Sequence, residues 1–503
     1  MTAVIISLIV RFYQISDRPL HNDEAVNSVK LKYLLENGEF KYDPIEYHGP
    51  TLYYFSLLGS WISGNYKFHD LSEETLRGVN VVFTSLLFLF LFLYRKSLNR
   101  SDIIITSALL LVSPFLNFYS RYYIHESLFS LFTIMMIISY YRFFKSRKDI
   151  WAILTGIFAG LVFATKETSI IVFTGFFLAL ILTKSLKELK LKSVSLFAFS
   201  FVLISVIFYS SFFSNAEGIV DSVTTFKNYI IKSSANTDHI QPWYYYLSLF
   251  SFYDLKGFII SEFIIIIGAV IGMILSFKNE KDLIFQWLSI FSVLFFIVFS
   301  LIPYKTPWSI MAGWITIILL SGYGFAKFIS LINNKKIKLA YNALLSIVFV
   351  YLAYQSYLTT FKYADHPENP FTYSQPTKAI YTLTDTVEDI IKYDKNTKIY
   401  VIAAEDQYWP LPWYFRESEF ISWNSSPGED LHRFEIIITE PEFIPEVTNI
   451  LYTIPKPGKR DLYVPLLLED VPIRPGKPLS SYIKNDFMVK YLNSESEDDN
   501  REE

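Results

Sequence analysis

The chain has 503 residues, of which 52% are hydrophobic and only 18% charged, against roughly 25% charged residues in an average soluble domain. Its formal net charge is -3, and it shows neither a basic domain nor a nucleic-acid motif, which sets aside a nucleic-acid partner. Cysteine is absent, so disulfides, thiolate metal sites and a cysteine nucleophile are excluded.

The apolar residues come in long blocks, and a helix crosses a bilayer with about 20 of them. Eleven spans are predicted, near 1–15, 78–94, 103–120, 124–141, 150–165, 168–183, 193–213, 257–277, 283–303, 307–326 and 339–361. Backbone groups in lipid must be satisfied within their own segment, so each is read as a helix. The first block is short enough for a signal peptide, but Arg11 near its far end and the lack of a small-residue cleavage site favour a span. The even loops are short and basic: Arg95, Lys96 and Arg100; Arg142, Lys145, Arg147 and Lys148; Lys184, Lys187, Lys190 and Lys192; Lys278 and Lys281; Lys327, Lys335, Lys336 and Lys338. Such loops face the cytoplasm. The N-terminus is then cytoplasmic, and eleven spans place the C-terminal region outside.

The expected organisation is a transmembrane domain, 1–361, with a large first outer loop, 16–77. A soluble α/β domain, 362–493, and a disordered acidic tail, 494–503, follow. Within the loop, 51–63 reads as an aromatic-rich helix lying in the membrane interface. The soluble domain opens Pro-rich, then shows a helical stretch near 377–393 and strand-like runs at 398–404, 435–439 and 462–468.

Charges at membrane depth are costly and mark functional sites; here they gather at the outward ends of spans. The first outer loop holds His21-Asn-Asp-Glu-Ala25 and Glu46-Tyr-His-Gly-Pro-Thr51. One member of the Asp23-Glu24 pair could serve as a general base while the other orients a substrate. The pair is equally readable as an Asp helix cap followed by a first-turn Glu. In Ser120-Arg-Tyr-Tyr-Ile-His-Glu-Ser127, Arg121 and His125 are spaced to share a helical face beside Glu126. Arg suits bidentate phosphate binding; a plain interface anchor reads as well. Lys166 and Glu167 sit in a very short outward turn and could pair with each other. Lys305, in Pro303-Tyr-Lys-Thr-Pro-Trp308, is kept out of a helix by flanking prolines, which suits a cavity wall or a snorkelling lysine. Two carboxylates, several cations and many aromatics on one side of the membrane suit transfer of a group from a lipid-linked phosphate. Nothing resembles a phosphate loop, a His-Glu-x-x-His zinc site or a serine-nucleophile elbow. A divalent cation is compatible with the carboxylate pair, but no ligand spacing supports one.

The ordered set His21-Asn-Asp-Glu-Ala25, Tyr47-His-Gly-Pro50, Ser120-Arg121 with His125-Glu126, Lys166-Glu167-Thr168 and Tyr304-Lys-Thr-Pro-Trp308 resembles the membrane glycosyltransferases of the GT-C superfamily. More specifically it resembles the flippase-activity-associated protein family, close to glycosyltransferase family 39. Tyr408-Trp-Pro-Leu-Pro-Trp-Tyr-Phe-Arg416 carries the likeness into the outer domain. The resemblance implies an inverting transfer from a polyprenyl-phosphate sugar to a glycan, lipid or protein acceptor outside the cytoplasm. Asp23 would act at the acceptor with Glu24 beside it. Arg121, Lys166 and Lys305 would hold the lipid phosphate, and His48, His125, Glu126 and Glu167 would complete the substrate site. Two other readings stand beside it: a flippase, or flippase partner, for lipid-linked sugars, and a non-catalytic glycan-binding membrane protein.

Overall fold

Each of the eleven apolar blocks holds a helix in the computed structural model, which describes residues 2–502 apart from 47, 96–97, 187–188, 235–238, 279–281, 405–406, 457 and 459. Tyr47, Lys96, Lys187 and Lys281 therefore lie outside the described residues.

Helix α1 (Thr2–Phe12) leads into the first large loop, which folds as α2 (Asn22–Asn37) and α3 (Thr51–Ser63). The helix expected at 51–63 is present, and Leu58, Trp61 and Ile62 are its exposed apolar residues. The spans then run α4 (Glu73–Tyr94), α5 (Arg100–Val112) with α6 (Pro114–Tyr119), α7 (Glu126–Ser146), α8 (Asp149–Phe163), α9 (Ser169–Leu182) and α10 (Leu191–Tyr209). The segment after α10 carries α11 (Glu217–Ser234) and a hairpin of β1 (Tyr253–Leu255) and β2 (Phe258–Ile260). The last spans are α12 (Phe263–Ser276), α13 (Leu283–Leu301), α14 (Pro307–Leu331) and α15 (Lys335–Lys362). Among the described residues six helices (α4, α7, α10, α13, α14 and α15) are long and apolar enough to cross a membrane on length and composition alone. The block at 103–120 is broken. Pro114, lacking an N–H, opens a new short helix, and Ser113 and the Phe115 N–H donate to Glu262 at 2.6 and 2.7 Å.

Helix α14 is the hub and is almost wholly buried. Small residues let its neighbours approach backbone to backbone: a Cβ on Gly272 of α12 would stand 2.2 Å from the Leu320 carbonyl oxygen.

The C-terminal region is an α/β unit. Helix α16 (Ile380–Tyr393) packs on a sheet of β3 (Ile399–Ile402), β4 (Ile421–Asn424), β5 (Ile436–Thr439), β6 (Tyr463–Pro465) and β8 (Lys477–Lys484), in the order β4-β3-β5-β8-β6, with β7 (Val471–Arg474) paired to β8. Strands β3, β4 and β5 are parallel, and β8 runs antiparallel to β5. The last helix, α17 (Asn485–Glu502), runs on through most of the segment expected as a disordered tail. The chain is thus a polytopic α-helical membrane protein with a C-terminal α/β domain.

Candidate active site

The site is built around the first turn of α2. His21 is the N-cap, a position that the alternative reading of the acidic pair gives to Asp23. Its Nδ1 accepts from the Asp23 N–H at 3.1 Å, and its own N–H donates to Glu24 Oε2 at 2.9 Å. This reciprocal arrangement satisfies donors that a helix start leaves open. His21 Nε2 lies 2.8 Å from the Tyr373 carbonyl oxygen and donates to it. Burial lowers the imidazole pKa, in keeping with a neutral ring that accepts on one nitrogen and donates from the other.

The two adjacent carboxylates have opposite environments. Asp23 is half exposed. Glu24 is fully buried and gripped by Arg77, whose Nε and Nη2 donate to Oε1 and Oε2 at 2.7 and 2.9 Å. The Tyr123 N–H donates to Oε1 at 2.9 Å, the fourth hydrogen bond onto this carboxylate, and Arg18 stands 3.6 Å from Oε2. Arg77 also donates to the Ile15, Arg18 and Pro19 carbonyls, so it ties the end of α1, the start of α2 and span α4 together. Burial alone would raise the Glu24 pKa, but the Arg77 charge and hydrogen bonds outweigh it and bring it from 4.5 to about 2. A lowered folded pKa contributes stability that is present above the unfolded value and lost as pH falls through the folded one. The Glu24 contribution is therefore expected to be flat from neutrality to about pH 5 and to disappear between pH 4.5 and about 2. Comparing acid unfolding of the wild type with Glu24→Gln checks this, since the variant should lose that part of the acid dependence.

A second cluster forms where residues 48–51 lie against the turn between α8 and α9. The Gly49 and Thr51 N–H groups donate to the Thr165 and Ala164 carbonyls at 3.1 and 3.2 Å. His48 Nδ1 is 2.8 Å from Glu167 Oε2, and Tyr42 donates to Oε1 at 3.2 Å. Burial would raise the Glu167 pKa, but His48, a backbone hydrogen bond and Lys166 together more than offset it, and the shift is downward. Lys166 pairs with Glu126, so the sequence expectation of a Lys166–Glu167 pair is replaced by two pairs that cross between loops. The His125 ring stands against both His48 and Tyr53, and its Nε2 reaches the Gly49 carbonyl at 3.1 Å. No side chain fits at Gly49, where a Cβ would lie 2.2 Å from the Ala164 carbonyl oxygen. Gly49→Ala is expected to cost at least about 2 kcal/mol through forced backbone separation, read as a lowered unfolding temperature in detergent.

The two clusters are joined along α2. Asp23, Asn27 and Lys30 share one face at i, i+4 and i+7 spacing. Asn27 bonds the Tyr123 carbonyl at 3.1 Å and accepts from Tyr53 at 3.0 Å, and Tyr53 packs on His125. Lys30 reaches the Glu46 carbonyl, two residues before His48, at 2.6 Å.

The Tyr304–Trp308 segment closes the other flank. It is non-helical up to Thr306, in line with its flanking prolines, and Tyr304 makes an antiparallel bridge with Ile240. The Trp308 ring packs against His21 and Tyr373. Lys305 is buried, and its Nζ donates to the Ile302 and Gln241 carbonyls at 2.5 and 3.0 Å. The C-terminal α/β domain then docks on the start of α2. The Leu20 N–H donates to Tyr414 Oη at 2.9 Å, and Gln375 bridges Tyr122 and the Pro19 carbonyl at 2.7 and 2.9 Å. With its amide turned so that both ends find partners, Asn22 donates to the Trp409 carbonyl at 3.2 Å and accepts from Arg474 at 2.6 Å.

Arg121 does not join these groups. Residues 120–125 form a turn rather than a helix, so Arg121 and His125 share no helical face. The Arg121 guanidinium donates to the Gln14 and Thr360 carbonyls and lies over Phe361, fastening the end of α1 to the end of α15. Sequence reasoning missed Arg18, Arg77, Asn27 and Tyr373. Arg77 alone carried a signal, a charge at the outward end of a span. Among the described residues no group of three or more His, Cys, Asp or Glu could hold a metal. Both oxygens of Glu24 are engaged, so the Asp23-Glu24 pair does not fit a cation-chelating pair.

The sequence profile of the family described as dolichyl-phosphate-mannose-protein mannosyltransferase matches residues 48–211. No curated protein matches the sequence significantly. The fold is similar to that of ArnT from Cupriavidus metallidurans, in the apo state and bound to undecaprenyl phosphate. For each, the TM-score is 0.62 and the identity 12%, over 95% of this chain and 97% of that one. It is also similar to the archaeal oligosaccharyltransferase AglB from Archaeoglobus fulgidus, in complex with an inhibitory peptide and a dolichol-phosphate. There the TM-score is 0.53 and the identity 11%, over 87% of this chain and 69% of that one.

Proposed function

We propose that the chain is an inverting, hexosyl- or mannosyltransferase-like membrane enzyme. It takes a sugar from a polyprenyl-phosphate donor and delivers it to a glycan, lipid or protein acceptor on the extracytoplasmic face. The observation that carries the reading is the inequality of the first-loop carboxylates: Glu24 is locked by Arg77 while Asp23 is open to an approaching hydroxyl. Asp23 takes the proton of the acceptor hydroxyl as its oxygen attacks the anomeric carbon. The bond from that carbon to the phosphate oxygen breaks, and polyprenyl phosphate leaves. His48 and Lys166, with Lys305 on the opposite flank, stabilise the charge on the leaving phosphate. Glu167 and Glu126 position His48 and Lys166, His125 steadies the 48–51 segment, and Arg121 keeps α1 in place beneath the site. The binding of lipid phosphates by ArnT and AglB, whose fold this chain shares, supports the donor class. The profile match, which begins at His48, supports it independently. The basic loops at the opposite ends of the spans support an extracytoplasmic site and outer domain.

The test uses membranes holding the full chain and a labelled polyprenyl-phosphate sugar. Label in an acceptor, with release of polyprenyl phosphate, is the expected result. Movement of intact lipid-linked sugar across vesicles with no transfer would overturn the reading in favour of a flippase.

A further inference from the structure

Four consecutive spans leave a hole at the basic end of the bundle, far from the site above. Helix α8 is drawn against α10: a Cβ on Gly156 would stand 2.3 Å from the Phe197 carbonyl oxygen, and one on Gly160 2.9 Å from that of Phe201. Helix α9 instead packs on α13, with Gly175 facing the Phe291 ring. Helices α9 and α10 are thus pulled apart, and α7 and α8 floor the gap between them. The result is a cavity of about 490 Å³. Met136, Ala152, Ala159, Phe176, Leu180 and Phe197 are typical of its walls.

The walls are apolar, and two of their few hydroxyls are already committed. Tyr140 donates to the Ser185 carbonyl at 3.2 Å and Thr155 to the Trp151 carbonyl at 2.6 Å. An occupant is therefore held as hydrocarbon. Leu186 and Leu189, from the α9–α10 linker, line the mouth. Around that mouth the exposed cations among the described residues include Arg147 and Lys148 after α7, Lys184 after α9, Lys190 just before α10 and Lys192 in its first turn. Asp149 answers Lys192 at 2.6 Å, which leaves the rim positive among the described residues. An apolar slot between spans beneath a basic rim on the cytoplasmic side matches a lipid with a chain below and an anionic head above.

We propose that this cavity is a binding site for one anionic phospholipid of the cytoplasmic leaflet, its acyl chain lying between α9 and α10 and its phosphate beside Lys184 and Lys190. The lipid would fill the space left between the two helices.

Native mass spectrometry of the full chain, purified in mild detergent and relipidated with a defined mixture of phosphatidylglycerol and phosphatidylcholine, tests this. One phosphatidylglycerol per chain is expected to survive detergent stripping. The cavity-filling variant Ala152→Leu with Ala159→Leu is expected to lose it. Lys184→Glu with Lys190→Glu changes exposed residues only and leaves folding intact; it is expected to lower the preference for phosphatidylglycerol about tenfold or more. Equal retention in the wild type and the filled variant, or an unchanged preference after charge reversal, would overturn the proposal. So would a retained polyprenyl lipid in place of the phospholipid. Sugar transfer is not the readout, so failure here leaves the catalytic reading standing.

Discussion

Asp23→Asn is expected to lower sugar transfer by about 10²- to 10⁴-fold, the usual contribution of a positioned general base. The amide keeps the shape of the carboxylate but cannot accept a proton. Asp23 is half exposed, and only its backbone N–H takes part in the N-cap. Unfolding stability should therefore move by no more than about 0.5 kcal/mol, as for most surface substitutions. The loss should fall on kcat, with the KM for the lipid donor little changed, because donor contacts are assigned to other residues. A kinetic assay on protein whose melting is unchanged separates the two effects. Full activity in Asp23→Asn would remove this residue from the mechanism.

Arg77→Met is expected to destabilise the protein by about 3–5 kcal/mol, because it strands a buried carboxylate. Arg77 has no exposed surface and makes bonds to Glu24 and to three backbone carbonyls. Removing both charges, as Arg77→Met with Glu24→Leu, should recover part of the loss. Recovery is incomplete because the His21 and Tyr123 N–H groups then lose their acceptor, at about 1–3 kcal/mol for each buried group left unpaired. Thermal unfolding of the wild type and both variants in one detergent measures the series. A fully stable double variant would mean those donors find other partners. A single variant as stable as the wild type would mean that the pair contributes nothing.

The spans were legible because lipid imposes a length and an apolar composition that survive without any knowledge of partners. The strands at 399–402, 436–439 and 463–465 were legible for a similar reason, as short β-branched and aromatic runs. Pairings were not. Glu24 and Arg77 are 53 residues apart, and His48 and Glu167 are 119 apart; no periodicity links such positions. Lys166 and Glu167 are neighbours in sequence yet take different partners, because the turn they occupy points them at different loops. Arg121 was misplaced by a helical spacing rule applied where the chain turns. Strand β8, the longest in the outer domain, escaped notice because Pro478, Ser480 and Ser481 interrupt its apolar pattern.

The docking of the outer domain on α2 has a consequence for the order in which the protein can become competent. The candidate base is made well before the C-terminal domain, yet its neighbour Asn22 is clasped by Trp409 and Arg474, and Leu20 is fastened by Tyr414. Contacts so distant along the chain form late and carry a high entropic toll. A ribosome-bound intermediate that has inserted every span still lacks the residues that fasten the start of α2. The fold therefore delays its own maturation until the domain beyond the last span is made, and a chain lacking that domain would carry its acidic pair in an unfinished setting.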